Sequence, residues 1–134
     1  MTTVVCSKKA MAADTKVVDD GLLSVGSKII EVNGDLIGVA GDLRDLYRFE
    51  KWYKVQDHDL EMEDSTILVL TKCGKIYTYD GGIRIPVMEK FYAIGSGAHA
   101  AMAAMHMGAD PKKAIEIAKK VDDGTGGKVE VRER

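Results

Sequence analysis

Thr2 carries a hydroxyl and, once Met1 is removed, a free amine on the same residue, at the head of the β-branched run Thr2-Thr3-Val4-Val5. Nucleophile and base then share one residue: the α-amine takes the hydroxyl proton, directly or through one water, as the oxygen attacks a carbonyl. An α-amine has an unperturbed pKa of about 7.7–8.0, so a small downward shift leaves it mostly neutral and available as a base. The small side chain of Thr2 permits removal of the methionine. If Met1 is retained, the nitrogen is an amide and no base exists. Chains often begin Met-Thr by chance, so the weight of Thr2 rests on what the other segments bring to it.

Other chemistry-bearing residues are sparse. Cys6 and Cys73 match neither a metal spacing nor a disulfide framework, and each falls in a strand-like stretch that suits a free, buried, structural thiol. His99 and His106 lie seven apart among Met102, Met105 and Met107, and His58 is remote, so no third ligand stands at useful spacing. Core or interface packing is the expectation for these histidines, with no metal and no cofactor.

Composition sets the frame. With 134 residues and 46% hydrophobic content, the chain is expected to form one compact domain over residues 1–134. Nineteen basic against twenty-one acidic residues, with no basic stripe, argue against a nucleic-acid partner. No apolar run reaches the ~18–20 residues that span a bilayer, and the opening MTTVVCSKKAM lacks a signal-peptide core. A soluble cytoplasmic protein with no membrane partner is expected.

The elements that must position Thr2 follow from pattern and turn chemistry. Thr2–Cys6 and Ala10–Ala13 read as an N-terminal hairpin. Thr15–Ser27 is punctuated by Asp19-Asp20-Gly21 and Gly26, leaving a short strand at Val17-Val18. Lys28–Val32 and Asp35–Ala40 flank Asn33-Gly34, the dipeptide of a type I′ turn. After Gly41, Asp42–Tyr53 spaces apolar residues as an amphipathic helix behind an Asp cap. Gln56–Asp64 is polar and acidic. Ile67–Leu70 and Ile76–Tyr79 read as a hairpin ended by Asp80-Gly81-Gly82, and Tyr92–Ile94 as a strand before Gly95-Ser96-Gly97. An Ala/Met-rich helix, Ala98–Met107, stops at Gly108, and Asp110-Pro111 starts another that runs through Val121. The loop Asp122–Gly127 precedes a last strand, Lys128–Arg132. The expected order, β-β-β-β-α-β-β-β-α-α-β, calls for packed sheets with helices outside.

Taken in this order, the pieces resemble the proteasome β-subunit and HslV-type threonine peptidases, which are N-terminal nucleophile hydrolases. The resemblance covers most of the chain and rests on six segments: Thr2-Thr3-Val4-Val5, Met11-Ala12-Ala13-Asp14-Thr15, Lys28, Val39-Ala40-Gly41, Tyr92-Ala93-Ile94-Gly95-Ser96-Gly97 and Asp122 through Gly127. It implies an α+β fold, a four-layer α-β-β-α sandwich of two antiparallel sheets. It also implies that Thr2 attacks the scissile carbonyl, that Lys28 lowers the pKa of the amine, and that Asp14 orients and charge-balances the lysine. The Gly41 N–H would donate to the oxyanion, while Ser96 and Asp122 hold the amine with support from Thr125. Val17, Val18, Ile30, Val39 and Leu43 would line the substrate site, hinting at cleavage after apolar residues. Extended substrates would pair with the edge backbone beside Gly41 and Val18.

The sequence departs from the family in one layer. Only one helix fits before Ile67 where relatives place two, so one helical layer is expected to be reduced. The resemblance implies a homo-oligomeric ring, to which the apolar Ala98–Met107 helix would contribute, peptide or unfolded-protein substrates, and an ATPase unfoldase as a possible partner. Two other readings keep the fold: an idle scaffold or assembly subunit with Met1 in place, and an amidase acting on a small molecule in a closed, more polar pocket.

Overall fold

A computed structural model describes residues 2–134 of the chain. Its strands are Thr3–Ser7 (β1), Ala10–Ala13 (β2), Lys16–Asp19 (β3), Leu22–Val25 (β4), Ile29–Val32 (β5), Asp35–Ala40 (β6), Thr66–Leu70 (β7), Ile76–Asp80 (β8), Ile83–Pro86 (β9), Phe91–Gly95 (β10) and Glu130–Glu133 (β11). Its helices are Leu43–Val55 (α1), Ala98–His106 (α2) and Pro111–Val121 (α3).

Two antiparallel sheets stack face to face, ordered β10-β1-β2-β11 and β5-β6-β7-β8-β9. The period of two along each strand sorts its side chains into layers. Val4, Cys6 and Met11 point inward against Leu36, Leu68 and Leu70, whereas Val5 and Ala12 point outward onto Met105, Ile115 and Ala118 of α2 and α3. Ile37, Val39 and Val69 face Leu46 and Phe49 of α1 on the opposite side. The sheets approach so closely that a Cβ on Gly38 would lie 2.6 Å from Val4 Cγ1. The result is the expected four-layer α-β-β-α sandwich, with α1 alone covering the five-stranded sheet.

Three hairpins share one turn chemistry. Asp20-Gly21, Asn33-Gly34 and Gly81-Gly82 each supply two consecutive positive φ angles (51° and 79°, 53° and 87°, 58° and 82°), and each closes a two-residue loop. Only the middle one is expected from sequence. The single strand expected at Val17-Val18 is therefore one arm of the hairpin β3–β4, and Asp80-Gly81-Gly82 leads into β9 rather than ending a hairpin. β4 was hidden because Leu22, Leu23, Ser24 and Val25 do not alternate and all four are exposed. Pro86 suits β9 as an edge strand, where a missing N–H costs no ladder bond.

Local signals place the helix starts well. Asp42 caps α1 by accepting from Arg44 N–H, and Asp110 caps α3, with Pro111 as the first helical residue. Two residue-level expectations are corrected. Cys6 is buried, but Cys73 is exposed in the turn between β7 and β8. Of the core or interface packing expected for His99 and His106, the core half is overturned: both are exposed on this chain, His106 meeting the Phe91 ring edge-on at 4.9 Å. Ala101 and Met105 of α2 are buried within the chain, so α3 and the four-stranded sheet absorb much of that helix's apolar surface.

Candidate active site

Asp14 is the junction of the site. It directly follows β2 and is fully buried, where Oδ1 accepts from Lys28 Nζ at 2.9 Å and from the Thr3 N–H at 3.1 Å, and Oδ2 accepts from the Gly126 N–H at 3.0 Å. One carboxylate thus ties together the strand that begins beside Thr2, the lysine before β5 and the loop before β11. Lys28 is itself only 3% exposed. Burial pulls its pKa below the ordinary 10.5 and the Lys16 charge adds to that pull, while the hydrogen bond and charge of Asp14 oppose it.

Thr2 is buried to 5% exposure and held by its own carbonyl, which accepts from the Ser96 N–H at 2.8 Å. Gly95 must be glycine for this contact. Its φ is +100°, and a Cβ there would sit 1.9 Å from the Thr2 carbonyl oxygen. Met1, on whose removal the free amine depends, lies outside the described residues.

A second network is built from hydroxyls. Asp122 Oδ2 accepts from Ser96 Oγ at 2.6 Å and from Thr125 Oγ1 at 2.5 Å. With the Thr125 proton committed to Asp122, the Thr3 hydroxyl is the donor in the 2.6 Å contact between the two threonines. The Ser96 and Thr125 hydrogen bonds hold the Asp122 carboxyl below its usual range. Its neighbour Asp123 uses its backbone carbonyl to accept from Lys16 Nζ at 3.0 Å.

Gly41 sits between β6 and α1 with φ +136°, against Ser65. The N–H of the next residue, Asp42, is taken by Ser65 Oγ at 3.0 Å. Gly41, Lys28 and Thr2 face one cleft of about 490 Å³. Val17, Val18 and Leu43 contribute apolar lining, while Lys16, Asp19 and Arg44 make its wall strongly charged. The cleft is thus half polar.

The structure gathers Thr2, Asp14, Lys28, Ser96, Asp122 and Thr125 into one connected region, with Gly41 on the same cleft. Ile30 and Val39 stand elsewhere: they pack toward α1 in the outer core with Phe49. Lys16, Arg44, Ser65 and Asp45 are absent from the sequence-based set. Lys16 alternates with Val17 like any half-exposed strand residue, and Ser65 follows an acidic stretch with no pattern of its own, so neither carries a sequence signal. Among the described residues, no three His, Cys, Asp or Glu side chains form a metal-binding group, and no helix is long and apolar enough to cross a membrane.

No protein-family model and no curated protein sequence matches the chain. Solved structures do. Thiobacillus denitrificans BPH superposes with a TM-score of 0.79 at 20% identity, covering 98% of this chain and 97% of that one. The same protein in complex with epoxomicin gives 0.77 at 20% identity, with the same coverage of 98% and 97%. Eukaryotic HslV from Trypanosoma brucei gives 0.72 at 21% identity, covering 98% of this chain and 99% of that one. The chain therefore has the HslV and BPH fold along nearly its whole length.

Proposed function

We propose that this chain is a threonine-type endopeptidase that hydrolyses peptide bonds through an acyl-enzyme on Thr2, exposed by removal of Met1. The observation that carries the reading is the buried Lys28–Asp14 pair, 2.9 Å apart, whose lysine lines the cleft that also holds Thr2 and Gly41. A buried ammonium beside the N-terminus lowers the amine's pKa and supports a developing alkoxide.

In the proposed cycle, Thr2 Oγ attacks the scissile carbonyl while its proton passes to the α-amine. The tetrahedral oxyanion takes a hydrogen bond from the Gly41 N–H. The ammonium then protonates the departing amine, leaving a Thr2 ester. Water attacks that ester, its proton moves to the α-amine, and the amine returns a proton to Thr2 Oγ as the acid product leaves. Lys28 stays protonated throughout, and Ser96, Asp122 and Thr125 hold the residues around Thr2 in place.

An extended peptide would lie along the free edge of β3 beside Val18 and Gly41, exchanging main-chain hydrogen bonds. Val17, Val18 and Leu43 favour an apolar side chain, whereas Lys16, Asp19 and Arg44 would select charge at neighbouring positions. The protein would act in the cytoplasm as a homo-oligomeric ring, digesting small peptides or unfolded chains, with an ATPase unfoldase as a further partner. The epoxomicin complex of Thiobacillus denitrificans BPH makes an epoxyketone a sensible probe. The direct test is turnover of an unfolded protein by the wild-type chain and by Thr2→Ala. Cleavage that disappears in Thr2→Ala with the fold intact supports the reading. Equal rates remove Thr2 as the nucleophile, and turnover by neither places the chain among idle subunits.

A further inference from the structure

Ser65 and Asp45 are buried polar residues that the catalytic scheme does not use. Ser65 immediately precedes β7, and the antiparallel register that pairs Ala40 with Thr66 brings it opposite Gly41. Its hydroxyl accepts the Asp42 N–H at 3.0 Å and donates to Asp45 Oδ2 at 2.6 Å. Asp45, in the first turn of α1, is bonded on its other oxygen by Arg48 at 2.8 Å. A hydroxyl has one proton. Because the Asp45 carboxylate claims it, Ser65 can only present lone pairs to the Asp42 N–H, so the direction of that bond is fixed.

The contact is also steric. Gly41 lies so close over Ser65 that a Cβ would come within 2.4 Å of its Oγ and 2.9 Å of its Cα. Gly41 and Asp42 are thus clamped from below by packing and a directed hydrogen bond. The clamp occupies the Asp42 N–H, while Gly41 and Asp42 both line the cleft. A misplacement of about 1 Å in such a group can cost on the order of 100-fold in rate.

We propose that Ser65 and Asp45 are positioning residues that hold the Gly41-Asp42 turn so that the Gly41 N–H meets the developing oxyanion. The catalytic half of this inference rests on the peptidase reading; the structural half does not. In Ser65→Ala, amide exchange at Asp42 should rise at least tenfold while Thr3 and Gly126, which are bonded to Asp14, keep their protection. On a short peptide, kcat should fall about 10- to 100-fold with KM within about twofold. Affinity for a peptide aldehyde, which forms a tetrahedral adduct with Thr2 Oγ, should fall with kcat, while affinity for the matching alcohol stays unchanged. Asp45→Asn should show the same pattern more weakly, and Ser65→Thr, which keeps the hydroxyl, should recover part of kcat. Unchanged exchange at Asp42 in a folded Ser65→Ala protein overturns the inference, as does a loss expressed wholly in KM. If the wild type is inert toward peptides, the peptidase reading and the catalytic half fall together, and the exchange arm still decides whether Ser65 holds the turn.

Discussion

Asp14 and Asp122 both tie together segments around Thr2, but they do so in opposite surroundings. Asp14 is fully buried and answers an ammonium and two backbone N–H groups. Asp122 lies in a partly open loop and answers two hydroxyls. The physics of the two differs accordingly. A buried ion pair is weak evidence of net stability, yet removing one partner is expensive because the other charge is left unpaired. At Asp122 and Ser96, the open end of the hydroxyl network, water can substitute for a lost partner, so these two members are replaceable in energy and matter through geometry. Folding therefore builds the Lys28 half of the site as part of the core, while the Ser96 half is assembled on top of it.

The largest effect should come from breaking the buried half. Asp14→Ala is expected to destabilise the fold by about 3–5 kcal/mol, read from urea unfolding. Joint replacement by Asp14→Ala and Lys28→Met should recover part of that loss, because no unpaired charge remains. A cycle in which the two losses simply add would remove the contrast drawn here.

Gly41→Ala comes next. A Cβ at φ +136° against Ser65 forces the turn to move. Activity should drop by about 100-fold or more, as for loss of an oxyanion donor, at a stability cost of only about 1–3 kcal/mol. Near-normal turnover in that variant would show that Gly41 is not the donor.

pH separates the halves by sign. Lys28 has a folded pKa below its ordinary 10.5, so between the two values the unfolded chain holds the proton that the folded one has lost. The contribution of Lys28 to stability therefore rises with pH across that window, while activity, which needs the ammonium, falls. Asp122 has a folded pKa below 3.8, so its contribution is present above that value and is lost as pH drops through the lower folded one. Rate and urea midpoint followed together should diverge on the alkaline side and decline together on the acid side. Asp122→Asn should remove only the acid feature, with a stability loss of about 1 kcal/mol or less.

The smallest effect distinguishes core from surface without chemistry at the site. Burial pushes the Cys6 thiol up to about 12, and Cys73 is exposed. One thiol should react with a disulfide reagent at once and the second only on unfolding.

Much of this division is legible in the sequence. Asn33-Gly34, the Asp42 and Asp110 caps and the apolar period of α1 are local signals, and they marked elements that the structure contains. The missed strands had local signals too. Asp20-Gly21 and Gly81-Gly82 close turns of the same kind as Asn33-Gly34, but β4 and β9 are short and exposed along their length, β4 does not alternate, and β9 ends in Pro86. The site divides similarly. Thr2, Asp14, Lys28, Ser96 and Asp122 stand at element ends that the order of segments fixes. Ser65 became visible only through the register of β6 with β7, a contact across the irregular 56–65 segment that no window of sequence spans.

The central claim is that Thr2 is an assembled nucleophile with its amine free. The most direct measurement is the intact mass of the purified protein before and after treatment with a peptide epoxyketone, which bonds to both the hydroxyl and the α-amine of an N-terminal threonine, with the modified residue located by fragmentation. The account predicts loss of Met1 and one adduct on Thr2, formed much more slowly after Lys28→Ala. A retained Met1, or a chain that stays unmodified while folded, would contradict it.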